Sequence, residues 1–406
     1  MTCSDSSPDG AEDLDWLLTP AAVRGRAEVV LAAGLRGELP HFHVDLDRLA
    51  DAVVLVREVT EAAYPDGHVP FHSRWRHFET PAGDLWVPLA AKTAHGMDRL
   101  RTRIDLAVIS VLLDAGAGAD WRYRDAETGV EFSRSEGLAV ASIRLFQSGA
   151  FSQAPDKDPL RVDAKPLTDL TEDHLAAGLQ VGSENPLVGL AARAELLRNL
   201  GRRMMSTDAF SHADGSHRVG NLFAGWTVGE VVPAACILTT LLQALNPIWP
   251  DGLVIGGRAM GDVGRHPLAG LVPFHKLSQW LAYSLIEPLE EFGVDITDAD
   301  GLTGLPEYRN GGLLLDTGVL RLVDPAQVNL VHRDDSELVI EWRALTVALL
   351  DRLAASLREQ LGETAESLPL GRVLQGGTWA AGRKLAQARS PSGDPSLKIA
   401  TTGTRF

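Results

Sequence analysis

The chain is 406 residues long with a formal net charge of -16, and 45% of its residues are hydrophobic against 23% charged. Those proportions belong to an ordinary globular protein with room for one large domain or two modest ones. The acid excess argues against a nucleic-acid backbone as partner, because such binders cluster Lys and Arg, but leaves room for a small phosphorylated substrate in a local positive pocket. The two cysteines, Cys3 in a polar stretch and Cys236 in an apolar one, suggest neither a disulfide framework nor a metal knuckle. The opening MTCSDSSPDGAEDLD lacks the basic-then-apolar order of a secretory signal. The most apolar stretch, 231–245, is short for a membrane span and contains Pro233. A cytoplasmic location with no membrane partner is the expectation.

Residues 1–13 read as a disordered acidic tail. Helical spacing follows over 16–39. Asp45 then suits an N-cap for a helix ended by the Pro65-Asp66-Gly67 turn. The run HVPFHSRWRHF, 68–78, has no period and crowds His72, Arg74, Arg76 and His77 around aromatic rings. A helix over 97–114 leads into a glycine-rich corner with Trp121 and Tyr123. Ser135 is a candidate cap for the next helix. After a Pro- and Asp-rich connector, helices fit 170–179 and 186–205. The polar stretch 206–229 reads as an internal boundary or a mobile lid. In the strong helix 273–292, Leu277, Trp280, Leu281 and Leu285 make one buried stripe, with Lys276, Gln279 and Tyr283 on another face. Pro288 should kink its end and Gly293 close it. In 295–316, Gly301 and Gly304 interrupt helix and Pro306 can open a new one. This predicts a helix, a tight hairpin and a second helix that presents Glu307 and Arg309 at its start. Helices over 336–361 and 378–388 precede a tail at 390–406. No strand-helix alternation marks a doubly wound sheet. The expected fold is mostly α, one helical domain over 14–389.

The sequence holds no dinucleotide loop, P-loop, H-E-x-x-H or G-x-S-x-G. His68, His72 and His77 lack a nearby Cys or carboxylate framework, so no metal and no other cofactor is expected. The run from Arg74 to Phe78 can contact phosphate or sugar, or its arginines can pair with surface acids. Trp121 and Tyr123 can stack a planar group or plug a core edge. Three polar sets resist explanation as packing: Lys276 with Gln279; Asp300, Glu307 and Arg309; Glu341 with Arg343. A carboxylate and a guanidinium on a rigid turn suit acid/base and electrostatic work. The plainer alternative is a helix cap with a surface ion pair.

The segments WRYRD, RSEGLAVASIRLFQSGAF, VPFHKLSQWLAYSLIEPL, DGLTGLPEYRNGGLLLD, SELVIEWRALTVALLDRL and GGTWAAGRKLA together resemble the uracil catabolism protein 4 family. That resemblance implies a late step of pyrimidine degradation, after ring opening leaves a urea on ribose or ribose phosphate. The order of motifs is also similar to the queuosine-salvage N-glycosylases, whose fold is related to helix-hairpin-helix DNA glycosylases. Phe274, Lys276 and Gln279 match one motif of that family. Asp300, Leu302, Thr303, Tyr308 and Arg309 match a second, and Glu341 and Arg343 a third. Its catalytic Asp falls on Glu307. Its aromatic segment falls near Asp114 and Trp121, where the glycine-rich sequence implies a different or smaller leaving group.

The resemblance thus implies a hydrolase of the N-glycosyl bond of ribosylurea or its 5′-phosphate, with Glu307, Lys276 and Arg309 in the chemistry. Phe274, Gln279, Asp300, Tyr308, Glu341, Arg343, Asp114 and Trp121 are the implied substrate-binding residues, and Arg74 joins them from the basic-aromatic run. The expected partner is a small (phospho)ribosyl molecule, not nucleic acid. Two alternatives stay open: an N-glycosylase for another nucleoside 5′-monophosphate, and a non-catalytic binding protein of the same pathway.

Overall fold

Apolar residues recur at helical spacing through most of the sequence, and helices are what form. The computed structural model describes residues 13–213 and 215–400, and these are largely helical. Residues 1–12 of the expected tail at 1–13 and residues 401–406 of the expected tail at 390–406 lie outside them. The Glu337–Leu361 helix is the spine of the core. Leu345, Val347, Leu349, Leu350 and Leu353 on it are fully buried, and it ends at Gly362 in left-handed backbone. The Pro20–Leu35 helix packs along it. Thr19 starts that helix by accepting the Ala22 N–H at 3.2 Å, with Pro20 at the first turn where no N–H is needed. The Lys276–Phe292 helix carries the predicted stripe, and Gly293 closes it. It lies against the Met97–Leu112 helix.

Strands are short and pair only in twos among the described residues. They fasten loops to helices and do not make a layer. Phe42–Val44 pairs with Leu320–Leu322, and Val263–His266 with Gly270–Pro273, both antiparallel. Asp295–Thr297 pairs parallel with Val231–Pro233, and Val331–Arg333 with Lys398–Ala400. No helix of the described residues is long and apolar enough to cross a membrane.

Several local expectations change. Asp45 makes no cap bond, because a 3-10 turn, Leu46–Arg48, intervenes before the Leu49–Ala63 helix. Ser135 lies inside the Arg134–Gln147 helix, whose N-cap is Ser133. Pro306 does not open a helix; the Tyr308–Asp316 helix starts two residues later, capped by Glu307. The 206–229 stretch is anchored, not a free lid: Phe210, Val219 and Phe223 are buried and Arg218 pairs with buried Asp105 at 2.5 Å. Cys236 is disulfide-bonded, which corrects the reading of the two cysteines. Residues 390–400 are not a detached tail, since Leu397 is fully buried and the Lys398–Ala400 strand is paired.

The Tyr308–Asp316 helix lies on the Trp379–Arg389 helix at close range, and a Cβ at Gly382 would run into the carbonyl of Arg309. Backbone cannot yield as a side chain can. Gly382→Ala is therefore expected to destabilise the fold by about 1–3 kcal/mol or more. A denaturant midpoint equal to that of the wild type would contradict this packing.

Candidate functional site

Three helices begin at one cavity of about 240 Å³. Lys276 is the first residue of one, Tyr308 with its cap Glu307 begins the second, and Arg134 with Ser135 begins the third. Asp114 follows the Met97–Leu112 helix into the same wall. Two of these starts pass through left-handed backbone at residues other than glycine: His275 at φ 48°, just before Lys276, and Arg134 at φ 54°. Such a conformation costs roughly 1–2 kcal/mol and persists only where surroundings enforce it. His275 is held by a ring nitrogen 2.9 Å from the Leu17 carbonyl. Arg134 Nη2 donates to the Ser392 carbonyl at 2.8 Å.

Glu307 is 7% exposed. Its two carboxylate oxygens accept the backbone N–H of Asn310 at 2.6 Å and of Arg309 at 2.7 Å. This fixes the carboxylate as a cap while its outer side faces the cavity. Burial pushes its pKa above the ordinary value, against those N–H groups and the charges of Lys276 and Arg309. Lys276 stands across from it. Burial pushes the ammonium pKa down, against the pull of Glu307 and Asp114. The Lys276 backbone N–H donates to Asp262 at 3.1 Å, and no described side chain takes its ammonium within hydrogen-bonding distance.

Asp114 accepts the Ser135 hydroxyl at 2.8 and 2.7 Å and lies 3.3 Å from Arg74 Nη1. Burial alone would raise its pKa, but Arg74, His77, Ser135 and Lys276 bring it below the ordinary value. Arg74 is fully buried, donates to Ser110 at 2.6 Å and lies over the Trp280 ring. It does not line the cavity; it holds Asp114 from behind.

His72, His77, Trp280 and Trp379 complete the wall, with Asp394, Pro395, Leu397 and Ile399 closing over it. His72 Nδ1 lies 2.9 Å from Gln375 Oε1, and Gln375 belongs to a π-helical turn, Leu374–Thr378, that leads into Trp379. Burial lowers the pKa of His72 and of His77 to about 4, so both rings are neutral near pH 7. His72, His77 and Trp379 also face an outer cleft on the opposite side. His72 and His77 were not among the expected site residues; the aperiodic 68–78 run that holds them is the signal that could have found them. Trp280 is hidden within a core stripe, Trp379 lies in the GGTWAAGRKLA segment without a role read for it, and nothing local in the sequence marks the 394–399 segment.

Of the expected site residues, the fold brings Glu307, Lys276, Tyr308 and Asp114 to the cavity. Arg309 does not line it. Its Nη1 donates to the Gly393 carbonyl at 2.9 Å, and its guanidinium covers the Tyr308 ring, so it fastens the closing segment. Gln279 is turned to Thr303, donating to its hydroxyl at 2.6 Å. Asp300 accepts from Arg358 at 2.6 Å and from the Leu370 N–H at 2.7 Å. Phe274 lies beneath the Arg343 guanidinium, which binds both oxygens of Asp262 at 2.8 and 2.6 Å. Glu341 accepts the Phe42 N–H at 3.1 Å, and Trp121 is a core plug whose indole N–H donates to the Leu179 carbonyl at 3.0 Å. These seven hold the scaffold around the cavity without lining it. Around the cavity, no three His, Cys, Asp or Glu side chains among the described residues converge closely enough to share an ion.

Residues 16–406 match the family described as "Protein of unknown function (DUF1688)". The chain is 38% identical to "Protein urg3" of Schizosaccharomyces pombe, over 97% of this chain and 99% of that protein. It is 36% identical to "Uracil catabolism protein 4" of Lachancea kluyveri, over 91% of this chain and 93% of that protein. At such identity over nearly full length, the chain belongs to the DUF1688 family, together with urg3 and uracil catabolism protein 4.

Proposed function

We propose that the protein acts in uracil degradation as an N-glycoside hydrolase, releasing urea from ribosylurea or its 5′-phosphate. The role in uracil degradation rests on the name of the Lachancea relative. The hydrolase reading rests on one observation above the others: a buried carboxylate, Glu307, fixed by backbone N–H groups at the wall of a small cavity and facing a lysine. A cavity of about 240 Å³ is below the roughly 300–1,000 Å³ common for drug-sized ligands, which favours a compact substrate.

Breaking an N-glycosidic bond builds positive charge at the anomeric carbon. A carboxylate that cannot swing away stabilises that charge without reorganising, and the low dielectric of the site strengthens the effect. Glu307 can also take the proton of the attacking water. The urea nitrogen leaves poorly as an anion, and Lys276, an ammonium held in check by burial, is placed to give it a proton or a strong hydrogen bond. Trp280, Trp379 and Leu397 give the cavity wall an apolar surface that limits its hydration. A fold related to that of helix-hairpin-helix DNA glycosylases is part of this proposal, but a DNA substrate is not, because a chain of such acidic net charge would repel a duplex.

The test is to incubate the purified protein with ribosylurea and with its 5′-phosphate separately and to measure free urea. No urea from either removes the proposal. Lys276→Ala separates two roles for the lysine. Because Glu307 and Asp114 are its nearest opposite charges, it is expected to lose about 10–100-fold on both substrates alike, as a group acting in the bond-breaking step. A loss confined to the phosphate ester would make it a phosphate anchor instead.

A further inference from the structure

We propose that His41, Glu337 and Glu341 form a divalent metal site of the zinc class, fastening the Phe42–Val44 strand to the start of the Glu337–Leu361 helix. Glu337 and Glu341 are one helical turn apart and share a face. A ligand atom from each of the three side chains lies within 4.8 Å of the other two. His41 Nε2 and Glu337 Oε1 are 3.9 Å apart. Metal bonds of roughly 2.0–2.2 Å in a tetrahedral shell set ligand atoms about 3.4 Å apart, so a small inward shift seats an ion. Glu337 can make that shift, since its side chain is 40% exposed.

A second observation comes from inside the protein. Glu341 is fully buried; Oε1 accepts the backbone N–H groups of His41 and Phe42 at 3.3 and 3.1 Å, while Oε2 has no hydrogen-bond partner among the described residues. A bare carboxylate oxygen in a dry interior is costly unless a cation compensates it. Facing Oε2 is His266 Nε2, also buried and without a hydrogen bond, at 3.7 Å. That is too far for a hydrogen bond and too near for a water between them. His266 Nδ1 accepts the Leu268 N–H at 3.3 Å, which leaves the ring proton on Nε2, the nitrogen that lies 3.7 Å from Glu341. His266 is therefore a positioning residue that orients a ligand carboxylate, not a fourth ligand. An imidazole in the set favours zinc over magnesium or calcium, which prefer all-oxygen shells. The assignment departs from the sequence reading, which expects no metal and places Glu341 on the substrate.

The experiment uses the full chain, stripped with chelator and then given zinc chloride or magnesium chloride. Bound metal is measured by elemental analysis after gel filtration, and melting temperature with and without each salt. One zinc per chain and a rise in melting temperature with zinc alone are expected. His41→Ala and Glu337→Gln alter partly exposed side chains, so their melting in chelator should match the wild type. Each should bind zinc at least about tenfold more weakly. No retained zinc and no shift overturns the proposal. So does equal stabilisation by magnesium, or zinc binding unchanged in both variants, which would place the ion elsewhere. None of these readouts depends on catalysis.

Discussion

Glu307→Gln is expected to give a folded protein that releases urea roughly 10²–10³-fold more slowly, about 2.7–4 kcal/mol of lost transition-state stabilisation. The side chain keeps its size and loses the charge to which the proposed mechanism gives the stabilisation of the anomeric carbon. It also loses part of a cap, because an amide offers one acceptor where the carboxylate offers two to Arg309 and Asn310. A drop of about 1 kcal/mol in unfolding free energy should accompany the kinetic loss. The two effects separate in Glu307→Asp, which retains the charge and moves it back. The acid limb of the rate profile should lie above that of an ordinary carboxylate, since burial raises the pKa of Glu307 and protonation as pH falls removes the active form. Wild-type turnover in the glutamine variant would reduce Glu307 to a helix cap.

The second large effect concerns acid. His72 and His77 bind a proton in the unfolded chain near pH 6.5 and in the folded one only near pH 4. Between those values the unfolded state binds more protons, so stability is full above about pH 6.5 and drains away as pH falls towards 4. A tenfold difference in proton affinity between the two states is worth about 1.4 kcal/mol, so burial of His72 in its neutral form makes a difference of roughly 3 kcal/mol across that window. The share of His77 is smaller, because it keeps some contact with solvent. Urea unfolding at a series of pH values measures this directly. A His72→Gln, His77→Gln double variant should flatten the slope, whereas an unchanged slope would assign the acid sensitivity to other groups. At neutral pH both rings are uncharged, so they contribute shape, aromatic surface and hydrogen bonds to the cavity wall, not a cation.

The helices were legible because burial imposes a period that the sequence cannot hide, as in Leu277, Trp280, Leu281 and Leu285. The helix starts of the site were legible only in part: the sequence places them at 273 and at Pro306, whereas the helices begin at Lys276 and Tyr308. Lys276 and Glu307 stand beside backbone breaks, and a break at the head of a buried helix is where a polar side chain can reach a cavity. One turn further on, the same motifs mislead. Gln279 shares a helix face with Lys276 in sequence, yet in the fold that face passes from the cavity into the core at Thr303. Glu341 and Arg343 look like a site pair but serve the Phe42 backbone and Asp262 separately. The far wall was illegible for a different reason. His72, Trp280 and Trp379 come together from positions roughly a hundred or more residues apart, and no local pattern encodes a meeting.

The left-handed residues His275 and Arg134 bear on how such a protein can be improved. Glycine at either position would relax the backbone at once, and a search for heat-tolerant variants would be drawn to both. At 134 the change would cut the tie to Ser392 and loosen the cover; at 275 it would free the approach of Lys276 from the Leu17 carbonyl. Robustness and turnover would then move in opposite directions at these two positions, and there a gain in melting temperature would record how far the site had been dismantled.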